Sequence, residues 1–180
     1  MQFADKTHAH APYICTMRLS PKILKWVLRF YPPFFFQRIW VVKVSADFRQ
    51  ADIKITKSFL NINSNKTIFG GTMFAAVDPI HTLLLDQLLK RRGIKTTVTW
   101  LKSAKIEYLK PARKDLLFSI ILNDADINET LSEVNQNGKI VKTFAIEIRD
   151  KKGLLCARSL NEIYIRDLTF ERKKANLVTK

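Results

Sequence analysis

The chain is 180 residues long, 47% hydrophobic, and carries 31 Lys and Arg against 16 Asp and Glu, a formal net charge of +15. That length and apolar content fit one domain with a substantial core and exclude a disordered chain, while 5 Gly and 6 Pro exclude collagenous or low-complexity architecture. The 2 cysteines, Cys15 and Cys156, are too few for a disulfide framework or a four-ligand zinc site and suit a reducing, cytoplasmic compartment; the cationic surplus favours a polyanion, whether nucleic acid, anionic lipid or a phosphorylated cofactor.

The first twelve residues are polar and mixed and lack the apolar run of an export signal. Residues 1–19 read as a flexible N-terminal segment, 20–167 as the domain and 168–180 as a charged tail. Ser20 followed by Pro21 marks a helix start, because a Ser hydroxyl accepts from a free N–H and Pro fits the first turn. The spacing predicts a helix over 21–31 with Lys22, Lys25 and Arg29 on one face and Ile23, Trp26, Val27 and Phe30 over much of the rest. Pro32 and Pro33 end it, and 34–38 read as one more short turn. The greasy stretch 23–44 is interrupted by Lys25, Arg29, the two prolines and Arg38, so it does not read as a bilayer span of about 20 apolar residues.

Residues 39–44 and 51–56 read as strands, followed by an Asn-rich loop over 61–66. After Gly70 and Gly71 a long Ala- and Leu-rich segment predicts a helix that closes at Lys90, Arg91, Arg92 and Gly93. It is apolar nearly all round and should be buried, with Pro79 kinking or loosening it. Strands are expected over 96–109, 116–123, 140–149 and 154–165, with a hairpin turn at 150–153. Residues 124–136 read as a short polar helix or an irregular crossover closed by Asn137 and Gly138. One apolar helix against about six mostly sequential strands is covered only if the sheet curls round it, an α+β two-layer arrangement.

Asp78 is the odd residue of the long helix, since a carboxylate among Phe74, Ala75, Val77 and Ile80 is costly to bury without a partner or a task. A bond to Thr82, or a wetter seam of the helix, would equally account for it. Gly70 and Gly71 admit close approach to the helix entrance, whose free N–H groups suit an anion or a developing oxyanion; a plain turn is the alternative. His81, at i+3 from Asp78, reads either as its partner or as a surface or interface His. The clusters Lys110–Arg113–Lys114 and Lys90–Arg91–Arg92 suit phosphates or an acidic protein, or form a solvated rim. The His and Cys residues are too scattered for a metal site, no phosphate loop or nucleophile elbow is present, and no nucleic-acid stacking strand accompanies the charge.

The run from Asn61 through Asn63, Thr67, Phe69, Gly70, Gly71, Thr72 and Phe74 to Asp78 and Pro79 resembles the central motif of hotdog-fold acyl-CoA thioesterases of the PaaI-like kind. It most resembles a bacterial branch known as a domain of unknown function, DUF4442. A second block, Trp100, Lys102, Ala104, Ile106, Tyr108 and Pro111, resembles that branch's long strand, and the likeness spans about 19–167. The resemblance implies a central helix wrapped by an antiparallel sheet, and a homodimer, or a tetramer, with active sites at the interface. It implies that Asp78 activates water or attacks the thioester, that Gly70 or Gly71 N–H polarises the carbonyl, and that Asn63 positions thioester or water. Thr67, Phe69, Thr72, His81, Lys110 and Arg113 complete the expected substrate-binding set. The implied partners are acyl-CoA or acyl carrier protein, with no cofactor beyond the coenzyme A of the substrate. Phe69 stands where many active relatives have His, and Leu101 where the branch commonly has an acid, so a non-catalytic acyl- or lipid-binding protein is the alternative.

Geometry bears on the interface. Gly70 and Asp78 are eight residues apart, about 12 Å along one helix, whereas a thioester carbonyl must lie within about 3 Å of both the oxyanion donor and the attacking group. Two antiparallel helices from twin subunits meet that requirement. The cationic, aromatic first helix suits peripheral contact with an anionic membrane, or docks on the sheet, or covers the acyl site.

Overall fold

The computed structural model describes residues 17–171; residues 1–16 of the expected loose start, with Cys15, and the end of the charged tail lie outside the described residues. The element order is α1 (Pro21–Phe30), α2 (Pro32–Phe36), β1 (Ile39–Val44), β2 (Gln50–Ile55), α3 (Gly70–Arg91), β3 (Thr97–Tyr108), β4 (Leu116–Ile121), α4 (Asp124–Asn137), β5 (Lys139–Asp150) and β6 (Leu155–Asp167). The strands form one six-stranded antiparallel sheet in the order β1-β2-β4-β5-β6-β3. α3 packs on β2, near one edge, and on β3, at the other. A helix reaches both only if the sheet wraps it, so the expected α+β arrangement is the one observed.

Local chemistry accounts for most element ends. The Ser20 hydroxyl accepts from the Ile23 N–H (3.2 Å), and the Asn123 side chain accepts from the Asp126 N–H (2.8 Å) at the start of α4. Residues 124–136 are thus helical rather than an irregular crossover, with Ile127, Thr130 and Val134 turned inward. The predicted short turn after the proline pair is the helix α2, with Pro32 and Pro33 in its first turn, where missing N–H groups cost nothing. At 150–153 the Asp150 carboxylate accepts from the N–H groups of Lys152 and Leu154, and Gly153 takes the left-handed φ of 86° that a side chain resists.

α3 runs unbroken across Pro79. The Thr82 hydroxyl donates to the Pro79 carbonyl (2.6 Å), so Thr82 is not the partner of Asp78. From β6, the buried Asn161 donates to the Val77 carbonyl (3.0 Å) and accepts from the Ser159 hydroxyl (2.5 Å), which sets the helix in register with the sheet.

The C-terminal half of α3 carries a buried ion pair. Lys90 Nζ lies 2.6 Å from Asp86 Oδ2, and the Asp86 carboxylate also accepts from Thr97 Oγ1 (2.7 Å) and Gln87 Nε2 (3.2 Å). Gln87 holds the Met17 carbonyl and the Leu19 N–H, and the Arg18 guanidinium donates to the Lys90 carbonyl, fastening 17–19 to the helix. Lys90 is 1% exposed and committed to this network, which removes it from the cationic cluster expected at the helix end to meet phosphates.

Replacing Lys90 by Met should leave the Asp86 carboxylate buried without its cation and cost about 3–5 kcal/mol in urea unfolding. A paired change, Asp86→Leu with Lys90→Met, should recover most of that loss, because no uncompensated charge remains.

Candidate functional site

Two amides build the loop that delivers the chain to α3. Asn61 is buried; its Nδ2 donates to the carbonyls of Gln37 (2.8 Å) and Thr56 (2.9 Å), and its Oδ1 accepts from the Ser58 N–H (2.9 Å). Asn63 Oδ1 accepts from the N–H groups of Asn65 (3.0 Å) and Thr67 (3.2 Å) and from the Thr67 hydroxyl (3.0 Å). The Asn63 oxygen is therefore spent on holding 63–67 in shape, leaving its Nδ2 for another partner. The Phe69 N–H then donates to the Asn61 carbonyl (2.8 Å) and seats the start of α3.

Phe69 is the N-cap of α3 and supplies no side-chain acceptor. The N–H groups of Thr72 and Met73 reach the Phe69 carbonyl at 3.0 and 3.4 Å, while those of Gly70 and Gly71 have no acceptor among the described residues. They form the positive end of a 22-residue helix. Glycine here serves close approach of the Tyr108 and Phe69 rings rather than a positive φ. A Cβ on Gly70 would lie 2.8 Å from Tyr108 Cζ, and one on Gly71 2.3 Å from Phe69 Cε1. The Tyr108 hydroxyl donates to the Gly70 carbonyl (2.9 Å), and burial raises its pKa.

A cleft of about 720 Å³ opens beside this entrance. Asn63, Asn65 and Thr67 form one wall, Phe69, Gly70 and Met73 the helix end, and the segment from Tyr108 to Arg113 the other wall. The Ile68 N–H donates to the Ala112 carbonyl (2.9 Å) and ties the two walls together. Lys110 and Arg113 are exposed at the rim, and no acidic residue lines the cleft. Asn63, Thr67, Phe69, Gly70, Lys110 and Arg113 of the expected set thus meet in one place. Tyr108 and Met73 join them. Tyr108 was visible in the sequence as part of the long strand, but its reach to Gly70 depends on how β3 lies against α3.

Gly71, Thr72, Asp78 and His81 do not line that cleft. Thr72 is buried in the first turn. Asp78 lies on a stripe with Gly71, Phe74 and Ala75, all less than fully buried. No hydrogen bond or ion pair among the described residues reaches its carboxylate, and desolvation by partial burial raises its pKa. The helix is therefore not covered all round; the seam that carries Asp78 is open in the single chain. His81 is neither its partner nor a surface residue. It is 2% exposed, stacks on Phe144 with ring centroids 4.6 Å apart, and leaves Nδ1 without a partner. Burial lowers its pKa from 6.5 to about 4, against a small opposing pull from Asp126.

The family model for a domain of unknown function (DUF4442) matches residues 20–165. No curated protein matches the sequence. Among solved structures, a Pseudomonas aeruginosa protein of unknown function superposes with a TM-score of 0.65 at 14% identity, covering 84% of this chain and 98% of that one. A thioesterase from Haemophilus influenzae gives 0.61 at 13% identity over 85% of this chain and 94% of that one. Thioesterase superfamily member 2 from Mus musculus gives 0.56 at 17% identity over 80% and 96%. At such identities the likeness shows the fold, which is the hotdog fold.

A neutral buried His has a consequence for acid stability. Its folded pKa lies below its unfolded value, so the unfolded chain binds the extra proton between about pH 6.5 and 4, and stability falls as pH drops through that window. The His81 share should approach about 3 kcal/mol at pH 4. Urea midpoints at pH 7 and pH 4 should converge in His81→Phe relative to the unchanged chain.

Proposed function

We propose, from the premise that this chain belongs to the DUF4442 family and has the hotdog fold, that it hydrolyses acyl thioesters at a site shared between two copies. The observation that carries this reading is the separation of two incomplete halves on one helix. The unclaimed N–H groups of Gly70, which lines the basic cleft, and of Gly71, next to it, stand at the helix end, while the unpartnered carboxylate of Asp78 lies two turns along the open stripe, about 12 Å away. Neither half acts on a thioester alone.

The sheet supports the pairing. β1, at one edge, is packed by α1 and α2; β3, at the other, pairs with β6 on one side and leaves the outward-facing backbone groups of its 12 residues without a strand partner, with Trp100 and Tyr108 exposed. A long bare edge of this kind is satisfied by antiparallel pairing with a second copy. Such a dimer sets the Asp78 stripe of one protomer against the Gly70 end of its partner, closing the open seam of both helices.

In that arrangement Asp78, whose raised pKa strengthens it as a base, takes a proton from water, and the water oxygen forms a bond to the thioester carbon. The oxyanion accepts from the Gly70 and Gly71 N–H groups. The C–S bond then breaks, the thiolate leaves and takes up the proton, and a carboxylic acid and a thiol result. Lys110 and Arg113 meet the phosphates of coenzyme A or of a carrier protein arm. Tyr108 holds the Gly70 carbonyl and thereby the tilt of the entrance. A second reading, acyl binding without turnover, is favoured by Phe69, which stands half-exposed at the cleft and offers no hydrogen-bond donor.

Asp78→Asn should fold normally and lower acyl-CoA hydrolysis by about 100-fold or more. Gly70→Val, which drives a side chain into the Tyr108 ring, should also be inactive. Mixed dimers of the two variants contain one site with both functional halves, so they should regain about half the activity of the unchanged dimer. Full activity in Asp78→Asn, or no recovery in verified mixed dimers, overturns the shared site; acyl-CoA binding with no turnover by the unchanged protein supports the second reading.

A further inference from the structure

α1 turns an apolar face to solvent as well as to the core. Leu24 and Leu28 are buried against β1, yet Ile23, Trp26, Val27 and Phe30 on the opposite side are exposed, Phe30 at 66%. α2 repeats the pattern: Phe34 is buried, and Tyr31, Phe35 and Phe36 are exposed, Phe36 at 63%. The rings form one assembly, with Trp26 stacked on Phe30 (5.7 Å) and Phe35 meeting both Phe36 (5.6 Å) and Trp40 (6.0 Å) edge-on. Asn61 ties the adjoining turn to the end of α2 through the Gln37 carbonyl, and that turn carries Phe59 and Leu60, also exposed. Apolar surface of this extent, gathered on two short helices, marks a contact site.

The charge around it has one sign. Between residues 17 and 46 the chain holds Arg18, Lys22, Lys25, Arg29, Arg38 and Lys43 and no acidic residue. None of these six forms a salt bridge among the described residues. Three of them lie over indole rings: Lys25 and Arg29 over Trp26 (5.5 and 5.2 Å), and Arg29 and Arg38 over Trp40 (5.4 and 5.3 Å). The patch lies on the helices that pack on β1, whereas the edge expected to join two copies is β3, at the other end of the strand order.

We propose that the outer face of α1 and α2 is a docking surface for an anionic lipid bilayer. Indole and phenyl rings settle at the boundary between headgroups and acyl chains, and unpaired cations beside them meet lipid phosphates. Charge complementarity selects this occupant: an apolar protein groove has no use for cations free of acids, whereas a bilayer surface uses both features together. In a dimer paired through β3 the two patches engage the same membrane or two opposed ones.

The test is co-sedimentation of the full chain with phosphatidylcholine vesicles that either contain or lack phosphatidylglycerol, at low and high salt. Binding should require phosphatidylglycerol and weaken as salt rises. Trp26→Ser with Phe30→Ser, and separately Lys22→Glu with Lys25→Glu, should each lower binding at least about tenfold while circular dichroism and acyl-CoA turnover stay unchanged. Lys22, Trp26 and Phe30 are exposed and Lys25 is half-buried, so circular dichroism checks that each pair still folds. Absence of binding to anionic vesicles at low salt overturns the proposal. So does undiminished binding by the aromatic pair, which would make the contact one of charge alone. A smaller assembly of the aromatic pair in sedimentation velocity would mean that the patch joins copies of this chain, and would overturn it equally.

Discussion

Everything in this molecule follows from the need to cover α3. Its 22 residues carry apolar side chains on nearly every side, and no single flat layer can bury such a helix. The sheet answers by curling until β2 and β3, far apart in strand order, both touch it. The register is set by polar contacts at three heights: Tyr108 on the Gly70 carbonyl, Asn161 on the Val77 carbonyl, and Thr97 on the Asp86 carboxylate. Each is made from a strand, and the two made by Asn161 and Thr97 are buried, so sliding or rotating the helix would strand a buried polar atom there. A sheet of six strands still covers only part of the circumference, and the seam left open is the one that carries Phe74, Ala75 and Asp78.

The polar groups of α3 divide by whether the fold has satisfied them. Asp86 has a cation and two further donors, so its charge is compensated where it lies. His81 is kept neutral by burial and a stacked ring. Asp78 has neither provision, and partial desolvation raises its pKa with nothing in the described residues to offset the cost. Asp78 therefore sits uncompensated on an open apolar seam of a domain whose β3 edge keeps unpaired backbone groups, and the proposed pairing of two copies rests on these two features.

The two edges of the sheet meet different fates, and that separates the surfaces. β1 is packed by α1 and α2, whose outer faces remain apolar and cationic; β3 pairs with β6 on one side only and ends at the cleft with Tyr108. The proposed pairing of copies and the proposed membrane contact thus draw on different elements, the β3 edge and the outer faces of α1 and α2.

Much of this was legible in the chain because it depends on neighbours in sequence. The capped start at Ser20, the proline pair, the turn at 150–153, the Asn-rich loop and the long apolar helix all follow from local backbone chemistry and periodicity, and the helix with its strands implied a curled sheet. The Gly70–Gly71 entrance and Asp78 also stood out, because glycine pairs and a lone carboxylate in an apolar run are local anomalies. What pairs across long separations was not legible. Lys90 read as part of a cationic helix end, yet Thr97 and the 17–19 segment close over it and bury it with Asp86. His81 read either as a companion of Asp78 at i+3 or as a surface or interface His, yet Phe144 of β5 stacks on its ring and it is buried in the core. Periodicity assigns a residue to a face of its own element; only the packing of distant strands decides what that face meets, and so the sequence determined the fold and the helix entrance while the tertiary structure alone decided which polar side chains are spent on the core and which remain free to act.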